Sequence, residues 1–244
     1  MTDIKKVTSL GEYIDVIDEL YRPDKNAGLW FRGHSNKNNK LMPSVYRSKN
    51  AKCSAGKLYD DFYKRAGLLL ENAPPRENTA FWLTKAQHYG LPTKLLDWSN
   101  SPLVALYFAL KNERKFDVDG CVWVLNATEL NSDQIRIDSA INVGQISFEE
   151  YLNPPNENEI KACWPVNNDS RVVAQQSRFT FHNYAGPMEE AEMFKKFLTT
   201  QIIILKEHKQ KLKDQLANCG IKEHSIFPDM ERIAEYLKKI RNFE

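Results

Sequence analysis

Apolar residues recur at helical spacing over residues 9–21, where Leu10, Tyr13, Ile14, Ile17 and Leu20 share one face and Ser9 is placed to cap it. After a break at residues 22–28, Leu29-Trp30-Phe31 reads as a short apolar strand ending on Arg32, Gly33 and His34. Residues 57–71 and 79–87 predict two helices separated by Ala73-Pro74-Pro75-Arg76. The first should bury Leu58, Phe62, Ala66 and Leu69 or Leu70, and the second presents Phe81 and Trp82. Residues 103–110 are apolar or aromatic throughout, the mark of a fully covered helix. Ser99, Asn100 or Ser101 can cap it, and Pro102 fits its first position, where no backbone donor is needed. Further strands are expected at 121–125, 172–174, 179–181 and 201–205, with a short edge strand at 135–137 and helical turns at 148–152. Residues 206–217 predict a basic, solvated helix, and 230–240 a last one, with Ile233, Tyr236, Leu237 and Ile240 on one side, Asp229 as its cap, and Ile226 and Phe227 buried before it.

The resulting expectation is a single α+β domain over residues 1–244, with small mixed or antiparallel sheets surrounded by helices. No composition shift or linker marks a division, and 244 residues with 42% hydrophobic content can bury one large core. A formal net charge of +2 is close to neutral and gives no reason to expect a nucleic-acid or membrane-surface partner. The four cysteines, at 53, 121, 163 and 219, form no CxxC pair and imply neither zinc nor a disulfide framework. The first ten residues lack an apolar core for a signal peptide, and no apolar run approaches the roughly 18 residues of a membrane span. The expected location is cytoplasmic, without metal or membrane.

Chemistry concentrates in residues 84–111, which hold Gln87, His88, Tyr89, Thr93, Asp97 and Trp98 within a dozen positions, punctuated by Gly90 and Pro92. A loop so rich in aromatic and leucine side chains should be buried, and buried polar groups must be paired or used. Arg32, at the end of an aromatic strand, needs acceptors for its guanidinium, either a carboxylate such as Asp97 or the phosphates or carboxylate of a ligand. Arg47 is a second, weaker cation. Gln175 and Gln176, in a polar kink between strand patterns, either orient a ligand or satisfy a loop backbone.

The motif Phe31-Arg32-Gly33, with Gln87 to Asp97 reading QHYGLPTKLLD and then Trp98, the helix at 102–109, Arg171 to Phe179, and Phe227-Pro228-Asp229, resembles the FRG domain family over most of the chain. Lys94 stands where that family often has arginine, and Ser177 where glycine is common. The resemblance implies a relationship to ADP-ribosyltransferase-like folds, which bind NAD in a cleft between two small sheets. On that reading NAD is a substrate, bound by Arg32, Gly33, Gln87 and Thr93, while His88, Asp97 and Gln175 carry the chemistry. Gln175 or Gln176 falls near the position where such enzymes place a glutamate; a neutral amide can hydrogen-bond ribose but cannot favour an oxocarbenium-like transition state by charge. Two classes of function therefore remain. One is an NAD-using transferase or glycohydrolase, the transferase acting on a macromolecular acceptor; the other is a ligand- or partner-binding module in which Arg32, His88 and Asp97 form a structural network.

Overall fold

The computed structural model describes residues 2–21, 28–47, 55–165 and 170–241. Cys53 and positions 22–27 of the expected break lie outside the described residues. In chain order the elements are β1 (Asp3–Val7), α1 (Leu10–Leu20), β2 (Leu29–His34), α2 (Ala55–Ala66), α3 (Thr79–His88), β3 (Leu95–Ser99), α4 (Pro102–Leu110), β4 (Gly120–Asn126), α5 (Ala127–Ile135), β5 (Ile141–Asn142), α6 (Phe148–Leu152), β6 (Ile160–Trp164), α7 (Ser170–Ala174), β7 (Ser177–His182), α8 (Glu192–Lys195), β8 (Leu198–Ile204), α9 (Lys209–Asn218), α10 (Glu223–Ile226) and α11 (Met230–Ile240). The class is α+β. All eight strands join one mixed sheet in the order β1-β8-β4-β2-β3-β7-β6-β5.

That sheet is pinched in the middle. β2 runs against β4 over six residue pairs, and β3 against β7 over five, but β2 and β3 share the single pair Phe31 with Ser99. The halves β1-β8-β4-β2 and β3-β7-β6-β5 therefore separate beyond Phe31. On one face, α4 and the surrounding helices cover the first half in a core of Val7, Tyr13, Phe31, Leu106, Ile202 and Leu212. On the same face, α2, α3 and α6 cover the second half around Tyr59, Trp82, Leu95, Tyr151 and Phe181. The opposite face is one continuous core across the pinch, with Trp30, Leu96, Trp98, Trp123, Leu125 and Ile160. Side chains of a strand alternate between faces, so the two helix groups leave a groove above the place where the strands part.

Two local features build this groove. Ser101 accepts from the Val104 N–H and Pro102 occupies the first turn of α4, so only two residues separate the end of β3 from the start of the helix. Its flat side lies directly on β2: a Cβ on Gly33 would come within 1.8 Å of the Ala105 carbonyl oxygen. Glycine is required at 33 by that contact, since any side chain would push the helix off the strand.

Several sequence expectations are corrected. Residues 95–99 form a strand, β3, rather than part of a loop, because Leu95, Leu96 and Trp98 supply alternating core contacts against β7. Residues 172–174 belong to the short helix α7, with Val172 buried and Val173 63% exposed, where a strand was expected. The edge strand at 135–137 is absent: Ile135 ends α5, and Arg136 terminates it in the left-handed conformation. Leu69 and Leu70 lie at the surface and Tyr59 takes the core position on α2. The turn after α3 is exposed at Tyr89 and Gly90. Lys209 is not part of a solvated face; it is fully buried and donates to the Ser35 and Lys115 carbonyls at 2.7 Å each. Ile226 and Phe227 are buried, but Ile233 and Leu237 of α11 are largely exposed, and the side chain of Ile240 lies outside the described set. Beyond its backbone bond to Ile233, Asp229 turns its carboxylate toward Arg171. No helix among the described residues is long and apolar enough to cross a membrane.

Candidate functional site

The groove above the pinch closes into a cleft of about 250 Å³. Its floor is the gap between β2 and β3; α3 supplies one wall, α4 the other, and the α7 region with Phe227 the end. Arg32, Gly33, Gln87, His88, Asp97 and Gln175 all line it, although more than half of the chain separates the first from the last.

Arg32 occupies the gap itself. Where strands part, the inner carbonyls of β3 lose their ladder donors, and an unpaired backbone carbonyl in a buried setting costs free energy. Arg32 Nη1 donates to the Asp97 carbonyl and lies 3.9 Å from its Oδ2, while Nε donates to His34 Nε2 at 3.1 Å. The Nη2 hydrogens have no acceptor among the described residues. Burial pushes the guanidinium down to about 10, the Asp97 carboxylate opposing that shift and Arg47 adding to it, so it stays charged at neutral pH. Arg47 is otherwise spent on the Met42 carbonyl and lies outside the cleft lining.

Asp97 is held from the α3 side. Gln87 Nε2 donates to Asp97 Oδ2 at 2.8 Å, and Gln87 Oε1 accepts from the Thr93 hydroxyl at 2.5 Å. Thr93 therefore supports the site from behind, also accepting from the Leu95 N–H, and does not face the cleft. This chain fixes which end of the Gln87 amide meets the carboxylate. Asp97 keeps just over half of its side chain exposed and is the one carboxylate among the described lining residues.

Gln175 is the glutamine of the pair that lines the cleft. Its Nε2 donates to the Ile226 carbonyl at 3.2 Å and its backbone carbonyl accepts from Ser99 Oγ at 2.7 Å, which ties α7 to the end of β3. Gln176 takes φ +45° and makes the turn into β7 instead. His88, at the last position of α3, lines the cleft and accepts from Arg171 Nη1 through its backbone carbonyl at 3.3 Å.

Three lining groups had no role in the sequence reading. Arg171 brings a second guanidinium, paired with Asp229 at 3.2 Å and 5.1 Å above the Phe227 ring. Thr84 lines the cleft with a buried hydroxyl that has no partner among the described residues. Phe108 and Phe227, packed edge-on, form an aromatic wall. Helical spacing was the available signal for Thr84, which lies one turn before His88 on α3. Nothing local marks Arg171 as a neighbour of Arg32. The buried thiols Cys121 and Cys163 do not line the cleft, and burial pushes both well above the usual range, Cys121 to about 12.

Residues 27–118, less than half of the chain, match the family model of the FRG domain. The matched span is shorter than the resemblance read from the sequence. It contains Arg32, Gly33, Gln87, His88, Thr93 and Asp97, and ends before Arg171 and Gln175. The family's Phe-Arg-Gly thus has a physical account here: Phe31 anchors the core, Arg32 fills the parted strands, and Gly33 admits α4. No curated protein and no solved structure matches the chain.

Proposed function

We propose that the cleft binds an anionic ligand of the nucleotide class, with NAD as the substrate, and that the chain transfers the ADP-ribosyl group to an acceptor or to water. The observation that carries this reading is the state of Arg32: held through Nε by His34 and through Nη1 by the Asp97 carbonyl, it lines the cleft with Nη2 hydrogens that have no acceptor among the described residues, and the buried Thr84 hydroxyl of the same lining is likewise without a partner there. A preorganised, partly desolvated guanidinium favours the paired oxygens of a phosphate or carboxylate. Arg171, itself paired with Asp229, brings a second guanidinium to a lining that holds one carboxylate among the described residues. The enclosed volume falls somewhat below the roughly 300 Å³ lower end of ordinary ligand pockets, so it suits one end of a dinucleotide, with the rest over the open rim.

In the reaction, the bond between ribose C1′ and the nicotinamide nitrogen breaks and its electron pair leaves with nicotinamide. An oxygen of the acceptor or of water bonds to C1′, and its proton passes to Asp97 or His88. Asp97 also supplies the negative charge that the neutral Gln175 does not, stabilising the positive character at C1′. Gln87, oriented by Thr93, sets the direction of that carboxylate. NAD is a cytoplasmic metabolite, which agrees with the location expected of the chain.

The binding-module reading rests on the same contacts, since Arg32 already holds the gap together. Calorimetry with ADP-ribose and NAD, followed by incubation with labelled NAD and cell extract, separates the two. Arg32→Ala is expected to abolish binding while the far-UV spectrum stays native. Binding of ADP-ribose without labelled product selects the module; no binding by the wild type rejects the nucleotide altogether.

A further inference from the structure

His34 lies two positions after Arg32 on β2, so both side chains leave the same face of the strand and their ends meet. The Arg32 Nε hydrogen is donated to His34 Nε2 at 3.1 Å, which requires a lone pair on that nitrogen. A neutral imidazole with a lone pair on Nε2 carries its proton on Nδ1. Nδ1 is buried and makes no hydrogen bond of ordinary geometry among the described residues, although the Asn39 backbone still favours a proton on the ring. The histidine is 5% exposed and cannot turn toward solvent. Across the pinch, His182 is also fully buried; its Nε2 lies 2.8 Å from Thr180 Oγ1, which in turn accepts from Trp98 Nε1. The gap is thus backed by neutral imidazoles, with no carboxylate among the described groups that contact Arg32 from behind.

We infer that His34 is the positioning residue of the cleft, a neutral acceptor that takes the Nε edge of Arg32 and so turns the remaining guanidinium N–H groups toward the ligand. This rests on the reading of the cleft as an anion site. A carboxylate at 34 would hold Arg32 more strongly but cancel its charge; imidazole orients it and leaves the charge for a ligand. An aliphatic residue would leave Nε buried without an acceptor, and the guanidinium would rotate to find one.

Two measurements test this. Long-range ¹H–¹⁵N spectra of the wild type are expected to show His34 as the Nδ1–H tautomer with a shifted Arg32 Nε–H resonance. That shift should vanish in His34→Leu and persist in His34→Gln, whose side-chain oxygen still accepts. The dissociation constant for ADP-ribose should rise about tenfold or more in His34→Leu and far less in His34→Gln, the loss expected for a hydrogen bond to a charged group. An Nε2–H tautomer in the wild type, wild-type affinity in His34→Leu, or equal losses in both variants overturns the inference. If the wild type does not bind ADP-ribose, the nucleotide reading falls, and the spectra alone decide whether His34 orients Arg32.

Discussion

The two buried histidines make the fold acid-labile at a pH where most proteins are stable. Burial and the charge of Arg32 push both His34 and His182 down to about 3, with Arg47 adding to the effect at His34. In the unfolded chain each returns to about 6.5. Below pH 6.5 the unfolded state therefore binds protons that the folded state refuses. The contribution to stability is complete above that pH and is lost progressively down to about 3. At pH 5 the loss is about 2 kcal/mol per histidine and about 4 kcal/mol for the pair, a large share of a typical net stability of roughly 5–15 kcal/mol. Glu189 titrates in the opposite sense, since burial raises its carboxyl. The measurement is therefore best made on Glu189→Gln, which keeps an acceptor for the Leu41 N–H. Urea unfolding of that variant at pH 7.5, 6.5, 5.5 and 5.0 should show a falling midpoint at constant slope, and adding His182→Gln should remove about half of the dependence. A midpoint unchanged between pH 7 and 5, or imidazole titrations above pH 6 for both residues, would refute the reasoning.

Two other predictions concern positions beside the site. Gly33→Ala should destabilise the fold by about 3 kcal/mol or more, because its Cβ would overlap the Ala105 carbonyl and must displace α4; an unchanged thermal midpoint would show that the helix yields freely. Lys94 is buried above the Tyr151 and Phe181 rings, and burial pushes its amine down to about 8 against opposing pulls from Glu150 and Glu157. The cost of holding it is full below pH 8 and vanishes toward the unfolded value near 10.5. Lys94→Met should therefore stabilise by about 1–3 kcal/mol at pH 7, the advantage shrinking between pH 8 and 10; an advantage that grows with pH would contradict this.

Periodicity alone located α1 with its Ser9 cap, α3, the apolar α4 behind Ser101-Pro102, and the apolar cores of β2, β4 and β8, because each carries a cap, a breaker or an unbroken apolar run within its own span. It also singled out Arg32, Gln87, His88 and Asp97 as residues too chemically able for an ordinary loop. It could not see β6 or β1; the strand character of β1 depends on a partner far along the chain, since it pairs with β8 across about 200 positions, and the exposed Asp3 and Ile4 leave little apolar pattern of their own. The segment 172–174 read as strand from two adjacent valines, yet the turn at Gln176 and the Ser99 bond to the Gln175 carbonyl favour a helical turn there. The parting of β2 from β3 was decided only in three dimensions. α4 presses on Gly33 and the Arg32 side chain takes the place of ladder donors, while the bonds from Ser99 to the Gln175 carbonyl and from Arg171 to the His88 carbonyl tie those two residues to a groove that no local pattern encodes.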